Sequence, residues 1–115
     1  YHLDDLCAIV DVNGLQIDGR TADVMPSEPL DRKFAAFGWN VLQIDGHDYA
    51  AIEAALVLAE RCKDKPTVIL AHTVKGKGVS FMEGDPGWHG KAPNKEQYEQ
   101  AMAELEARLA EMEEM

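Results

Sequence analysis

Three short stretches carry residue types at spacings that could do chemistry. The first is the turn D-V-N-G-L, Asp11 to Leu15. Asn13 offers a side-chain carbonyl there, and Leu15 offers a backbone carbonyl two residues on. Two hard oxygens at that spacing can hold a small divalent cation, and Mg²⁺ prefers such oxygens with phosphate and water completing its octahedron. The second stretch is V-K-G-K-G, where glycine beside Lys75 lets the backbone approach an anion while the ammonium meets it as a point charge. The third is W-H-G: His89 lies between Trp88 and Gly90, in a setting unlike a core, and an imidazole can donate to a phosphate or a sugar hydroxyl. Each has a plainer reading: D-x-N-G after a strand is also an ordinary turn, the glycine-lysine stretch a surface loop, and a lone histidine a structural hydrogen-bonder. His72, in A-H-T, is a second histidine candidate, whereas His2 and His47 read as structural or exposed and Lys77 as solvent-facing. No nucleophile–histidine pair with a third member stands out, and the cysteines lack metal-site spacing, so covalent chemistry would come from a cofactor.

The elements that must position these residues follow from pattern. The apolar run Leu6 to Val10 reads as a strand. It delivers Asp11, Asn13 and Gly14 to a C-terminal end, the edge where open parallel α/β sheets bind ligands. Thr21 to Pro26 reads as a loop. Ser27 is placed to cap a helix through Gly38, with Pro29 in its first turn and Leu30, Phe34 and Phe37 on one face. A second strand, Trp39 to Ile44, stops at Asp45-Gly46. Asp48 caps a helix to about Lys63, with Ile52, Ala55, Leu56, Ala59 and Cys62 on one face. Pro66 starts a third strand, Thr67 to Thr73. Val74 to Pro93 is the longest irregular stretch and holds five of the nine glycines; such loops are functional or disordered, and its aromatics and histidine favour function. Asn94 with Gln97 makes a capping box for a last helix, with Tyr98, Ala101, Met102, Leu105, Leu109 and Met112 on one face.

The order strand–helix–strand–helix–strand predicts an α/β fold with a parallel sheet. Three strands and three helices leave sheet edges and apolar faces uncovered. The expectation is a fragment, or a subunit that does not fold alone; the polar lead Tyr1 to Asp5, without a starting Met, fits that view.

At 115 residues the chain is one domain at most. No apolar run approaches the roughly 20 residues of a membrane helix, and the expectation is of no signal peptide. Cys7 and Cys62 sit on apolar stretches, which predicts buried, reduced thiols in a cytoplasmic protein. A net charge of −10 argues against a role gripping a nucleic-acid backbone. Half of that charge lies beyond Asn94, where seven glutamates face two cations, and it reads as a solvated helix face.

D-V-N-G-L-Q-I-D-G-R-T resembles the second half of the thiamine diphosphate motif as transketolases carry it. The resemblance continues through F-G-W-N-V-L-Q-I-D-G-H-D, K-P-T-V-I-L-A-H-T-V-K-G-K-G-V-S-F-M and W-H-G-K-A-P, from about Leu6 to Leu105. It is similar above all to the N-terminal subunit of split bacterial and archaeal transketolases. That resemblance implies that residues 1–115 are the C-terminal portion of a thiamine diphosphate-binding (diphosphate-binding) domain, incomplete alone. It implies thiamine diphosphate and Mg²⁺ as cofactors, with Asn13 and the Leu15 carbonyl as metal ligands. Lys75 and His89 would meet the cofactor phosphates, and His89, as the catalytic candidate, would also reach the sugar. Ile17 would pack near the cofactor rings, plain core being its other reading. The family position matching His72 varies, and the pattern does not use Asp11 as a ligand.

The implied partners are a polypeptide carrying the Gly-Asp-Gly half of the motif, absent from this sequence, and a pyrimidine-binding transketolase subunit. The latter brings the glutamate that activates the cofactor. The implied reaction transfers a two-carbon ketol unit between sugar phosphates, as in the pentose phosphate pathway, within a dimer or hetero-oligomer. The alternatives are a split transketolase for another sugar, such as a sulfo-sugar, and a non-catalytic scaffold subunit.

Overall fold

Residues 67–71, T-V-I-L-A, are buried without interruption, and they form the middle of the sheet. The computed structural model describes residues 2–114, so Tyr1 of the polar lead lies outside the described residues. In chain order the strands are β1 (Cys7–Val12), β2 (Leu15–Gln16), β3 (Gly19–Arg20), β4 (Asn40–Asp45) and β5 (Thr67–His72). The main sheet runs β1-β5-β4, and both of its pairings are parallel. A parallel strand buried on both faces shows a near-continuous apolar run, which is what β5 carries. The register sets Asp11 and Val12 beside Ala71 and His72, and Ile44 and Asp45 beside the same pair. All three strands therefore end together, at the edge where the candidate residues begin.

The helices are α1 (Thr21–Val24), α2 (Leu30–Ala36), α3 (Tyr49–Arg61) and α4 (Lys95–Glu113). The Asp48 side chain caps α3 by accepting from the amides of Ala50 and Ala51. Ala55 and Ala59, one turn apart, bring α3 close to the sheet, and with Val68, Ile69, Leu70 and Ala71 they make the core. The Asn94–Gln97 capping box at the start of α4 is formed reciprocally, as the spacing predicts. Gly38 follows α2 with a φ of +80°, the left-handed conformation a terminating glycine supplies.

Several expectations are corrected. Strand β1 extends two residues beyond Val10, because pairing with β5 continues through Val12. The first long helix is not capped by Ser27. Pro29 occupies that position, and the Glu28 carboxylate accepts from the Leu30 amide instead. Thr21 to Pro26 is not all loop: Thr21–Val24 closes a helical turn after a small antiparallel hairpin of β2 and β3. Cys7 is exposed and Cys62 half-buried, rather than both buried, since β1 is an edge strand and Cys62 ends α3. Phe37 and much of the apolar stripe on α4 (Tyr98, Leu109, Met112) are also exposed. The fold is a slab of 52 × 39 × 17 Å, which has too few layers to cover these faces.

Candidate cofactor site

Asn13 leaves the end of β1 in a turn that its own side chain closes. Its Oδ1 accepts from the Leu15 amide at 2.9 Å. A carbonyl oxygen has two lone pairs, so one remains for a cation. Gly14 takes a φ of +70° to make the turn. On the far side the Thr21 amide donates to the Gly14 carbonyl at 2.9 Å. The next pair along this ladder, Leu15 with Arg20, is then the non-hydrogen-bonded kind. Such a residue turns its N–H and C=O together away from the partner strand. The Leu15 carbonyl thus points to the side where its own amide meets Asn13, and the two oxygens face one region. The hairpin, which pattern alone missed, is what aims the second of them.

Lys75 comes from the loop after β5. The Gly84 amide donates to the Lys75 carbonyl at 2.9 Å, closing residues 75–84 into a compact loop. Gly76 sits at φ +75° directly against the backbone of Met82. His89 follows a single 3₁₀ turn, Pro86–Trp88. Asp85 caps that turn by accepting from the Gly87 amide at 2.8 Å, and the His89 amide donates to the Pro86 carbonyl at 2.9 Å. Trp88 anchors the segment through its indole N–H to the Phe81 carbonyl at 3.0 Å, with the Phe81 ring beside it and the Lys91 ammonium 4.6 Å above its own ring. These contacts leave the His89 imidazole exposed.

One cavity of about 370 Å³ is lined by Asn13, Leu15, Ile17, Lys75 and His89, together with Gln16 and Pro86. All five residues singled out from the sequence are thus neighbours of one space. Ile17 is 61% exposed at its wall. Gln16 and Pro86 were not anticipated. The first belongs to the hairpin, and the second is the proline that opens the turn before His89. Asp11 is engaged elsewhere: its carboxylate accepts from the Thr73 hydroxyl. His72 is not at this cavity. Its Nε2 lies 3.1 Å from Gln43 Oε1, and it lines a more open hollow with His47, Asp45 and Lys77.

The donor set suits a metal-bound diphosphate. Two carbonyl oxygens suit a hard cation that keeps phosphate and water as further ligands, while an ammonium and an imidazole can meet phosphate oxygens. The hydrophobic side chain of Ile17 offers a face for a ring.

Residues 1–110 match the family described as the transketolase, thiamine diphosphate binding domain. The chain belongs to this family. It is 42% identical over 113 residues to a subunit of the apulose-4-phosphate transketolase from Phocaeicola vulgatus, covering 98% of this chain and 40% of that protein. It is 47% identical over 104 residues to the 6-deoxy-6-sulfo-D-fructose transketolase subunit SqwG of a Clostridium species, covering 90% of this chain and 38% of that one. A crystal structure of transketolase from Campylobacter jejuni matches with a TM-score of 0.67 and 26% identity, over 98% of this chain and 22% of the other. The chain therefore spans well under half the length of these transketolase relatives.

Proposed function

We propose that this chain is the C-terminal portion of the diphosphate-binding domain of a split transketolase, and that its cavity wall receives the diphosphate of thiamine diphosphate with its Mg²⁺. What supports the reading is that Asn13, Leu15, Ile17, Lys75 and His89, spread over most of the chain, line a single space at the carboxyl edge of the sheet. The bound cofactor supplies the carbon nucleophile that cleaves a ketose. Asn13 Oδ1 and the Leu15 carbonyl hold the cation, and the Leu15 amide fixes the orientation of the Asn13 carboxamide. Lys75 neutralises phosphate charge without leaving its glycine-flanked loop. His89 donates to a phosphate or to a hydroxyl of the sugar, and is the residue of this chain that acts nearest the reacting carbon. Ile17 shields a ring from water.

Other polypeptide supplies the remaining metal ligand and the pyrimidine-binding subunit, as suggested by relatives whose names call them subunits of a transketolase. The donor is a ketose and the acceptor an aldose. The sugars named for two relatives carry a phosphate or a sulfonate, which favours an anionic sugar outside the common pentose phosphates. Free thiols at Cys7 and Cys62 accord with a cytoplasmic setting. A scaffold role would not require Asn13, Lys75 and His89 on one wall.

The test is Asn13→Ala in the assembled enzyme, with thiamine diphosphate titrated calorimetrically with and without Mg²⁺. Binding should lose its Mg²⁺ dependence. Wild-type affinity with the Mg²⁺ dependence intact would reject the assignment.

A further inference from the structure

We propose that His47 is a positioning residue, holding the lysine loop to the sheet through the backbone of Val74. The role rests on the reading that Lys75 meets the diphosphate. It concerns the D-G-H-D stretch at the end of β4, none of which lines the cavity itself.

The Gly46 amide donates to the His72 carbonyl at 2.8 Å, so the turn after β4 is bound to the end of β5. A Cβ on Gly46 would stand 2.5 Å from Thr73 Cγ2 and 3.2 Å from the His72 carbonyl oxygen. Only glycine lets the turn lie that close. The next residue is therefore delivered directly over the exit of β5. His47 is oriented by its own amide, which donates to Asp45 Oδ1 at 2.8 Å. Its ring Nε2 accepts from the Val74 amide at 2.7 Å. A ring nitrogen that accepts carries no proton, so the imidazole is neutral with its proton on Nδ1.

Thr73, the preceding residue, is fixed from the other side of the sheet. Its amide donates to the Val12 carbonyl at 3.3 Å, and its hydroxyl donates to the Asp11 carboxylate. Residues 73 and 74 are thus tied to β1 by one and to the β4 turn by the other, immediately before Lys75. The chain leaves β5 in one direction, and the lysine starts from a fixed backbone. The Asp11–Thr73 bond also joins the lysine loop to the strand that carries Asn13, so the two halves of the anion wall share one anchor. A carboxylate at position 47 could accept the same bond, but it would set a negative charge beside that anchor. A neutral acceptor avoids this.

The experiment uses the assembled enzyme with His47→Ala and His47→Gln, since a glutamine oxygen has nearly the reach of Nε2. Hydrogen exchange read by mass spectrometry over residues 73–79 is expected to quicken about threefold to tenfold in the alanine variant, the worth of one hydrogen bond, with β5 unchanged. Thiamine diphosphate affinity should fall by a similar factor, and glutamine should restore both. If the alanine variant does not assemble, His47→Leu against His47→Gln makes the same comparison at filled volume. Wild-type exchange in the alanine or leucine variant overturns the clamp. So does exchange that quickens equally through β5, or a glutamine variant as impaired as the alanine. Lys75→Ala separates the two layers. If it lowers affinity while His47→Ala does not, the positioning role falls and the site stands. If neither variant changes affinity although the loop loosens, the reading of Lys75 fails and takes the positioning role with it.

Discussion

Alanine at Gly76 separates the shape of the lysine loop from its composition, because it leaves Lys75 in the chain. Gly76 has a φ of +75°, and a Cβ there would lie 2.5 Å from the Met82 carbonyl oxygen, 2.7 Å from its carbon and 2.8 Å from Met82 Cβ. Two of these atoms are backbone, so no rotamer change relieves the clash. Gly84, at the other end of the same loop, has a φ of +70° with nothing within 4 Å of an added Cβ. The left-handed conformation costs an L-residue about 1–2 kcal/mol at either position. Overpacking adds about 1–3 kcal/mol at Gly76 alone. The cheapest relief is to open the loop where the Gly84 amide meets the Lys75 carbonyl, which carries Lys75 off the cavity wall. A hydrogen bond to a charged group is worth about 1.5–3 kcal/mol. Thiamine diphosphate should therefore bind about tenfold to a hundredfold more weakly to Gly76→Ala. Titration calorimetry on the assembled enzyme, with Gly84→Ala and Lys75→Ala in parallel, checks this. Gly76→Ala should follow Lys75→Ala, and Gly84→Ala should stay near wild type. Wild-type affinity in Gly76→Ala, or equal losses in both glycine variants, would refute the reasoning.

Other expectations concern the supports of the site. Trp88→Phe keeps the ring beside Phe81 but strands the Phe81 carbonyl, a loss of about 1–3 kcal/mol where that group stays dry. Exchange over residues 85–90 should quicken, and kcat/KM should fall with the Mg²⁺ dependence unaltered. Glu104 joins α4 to the loop: its carboxylate accepts from the Ser80 amide and hydroxyl and from Gln100, and these bonds, the Ser80 amide first, hold it below the ordinary glutamate range. A depressed carboxylate contributes stability above its unfolded pKa and loses it as pH falls through the folded one. Protection of the Ser80 amide should accordingly persist from neutral pH down to the ordinary glutamate range and fail only below it. Loss of protection at higher pH would contradict the assignment.

The β4–α3–β5 unit was legible because each of its signals is strong and local. Asp48 is a good cap with two amides in reach, and T-V-I-L-A is an apolar run too continuous for an exposed strand. Spacing alone left the anion wall as separated motifs, and it was the resemblance to transketolases that set residues 13 and 89 around one cofactor; the structure lines one cavity with both. The β2–β3 hairpin was missed because strands of two residues show no alternation, although Asp18-Gly19 is a turn dipeptide that could have marked it. Ser27 misled because the Glu28 carboxylate takes the Leu30 amide that a Ser27 cap would have needed. The exposure of Cys7 follows from the place of β1 at a sheet edge, which is a property of strand order and not of the residues around it.

The central claim is that the Asn13 carboxamide oxygen and the Leu15 carbonyl grip the cation that carries the diphosphate. A structure of the assembled enzyme loaded with thiamine diphosphate and Mn²⁺, with the ion found by its anomalous signal, tests this directly. The ion should lie about 2.0–2.4 Å from both oxygens, with the Lys75 ammonium on the phosphate beside it. An ion bound elsewhere, with Asn13 turned to bulk solvent, would contradict it.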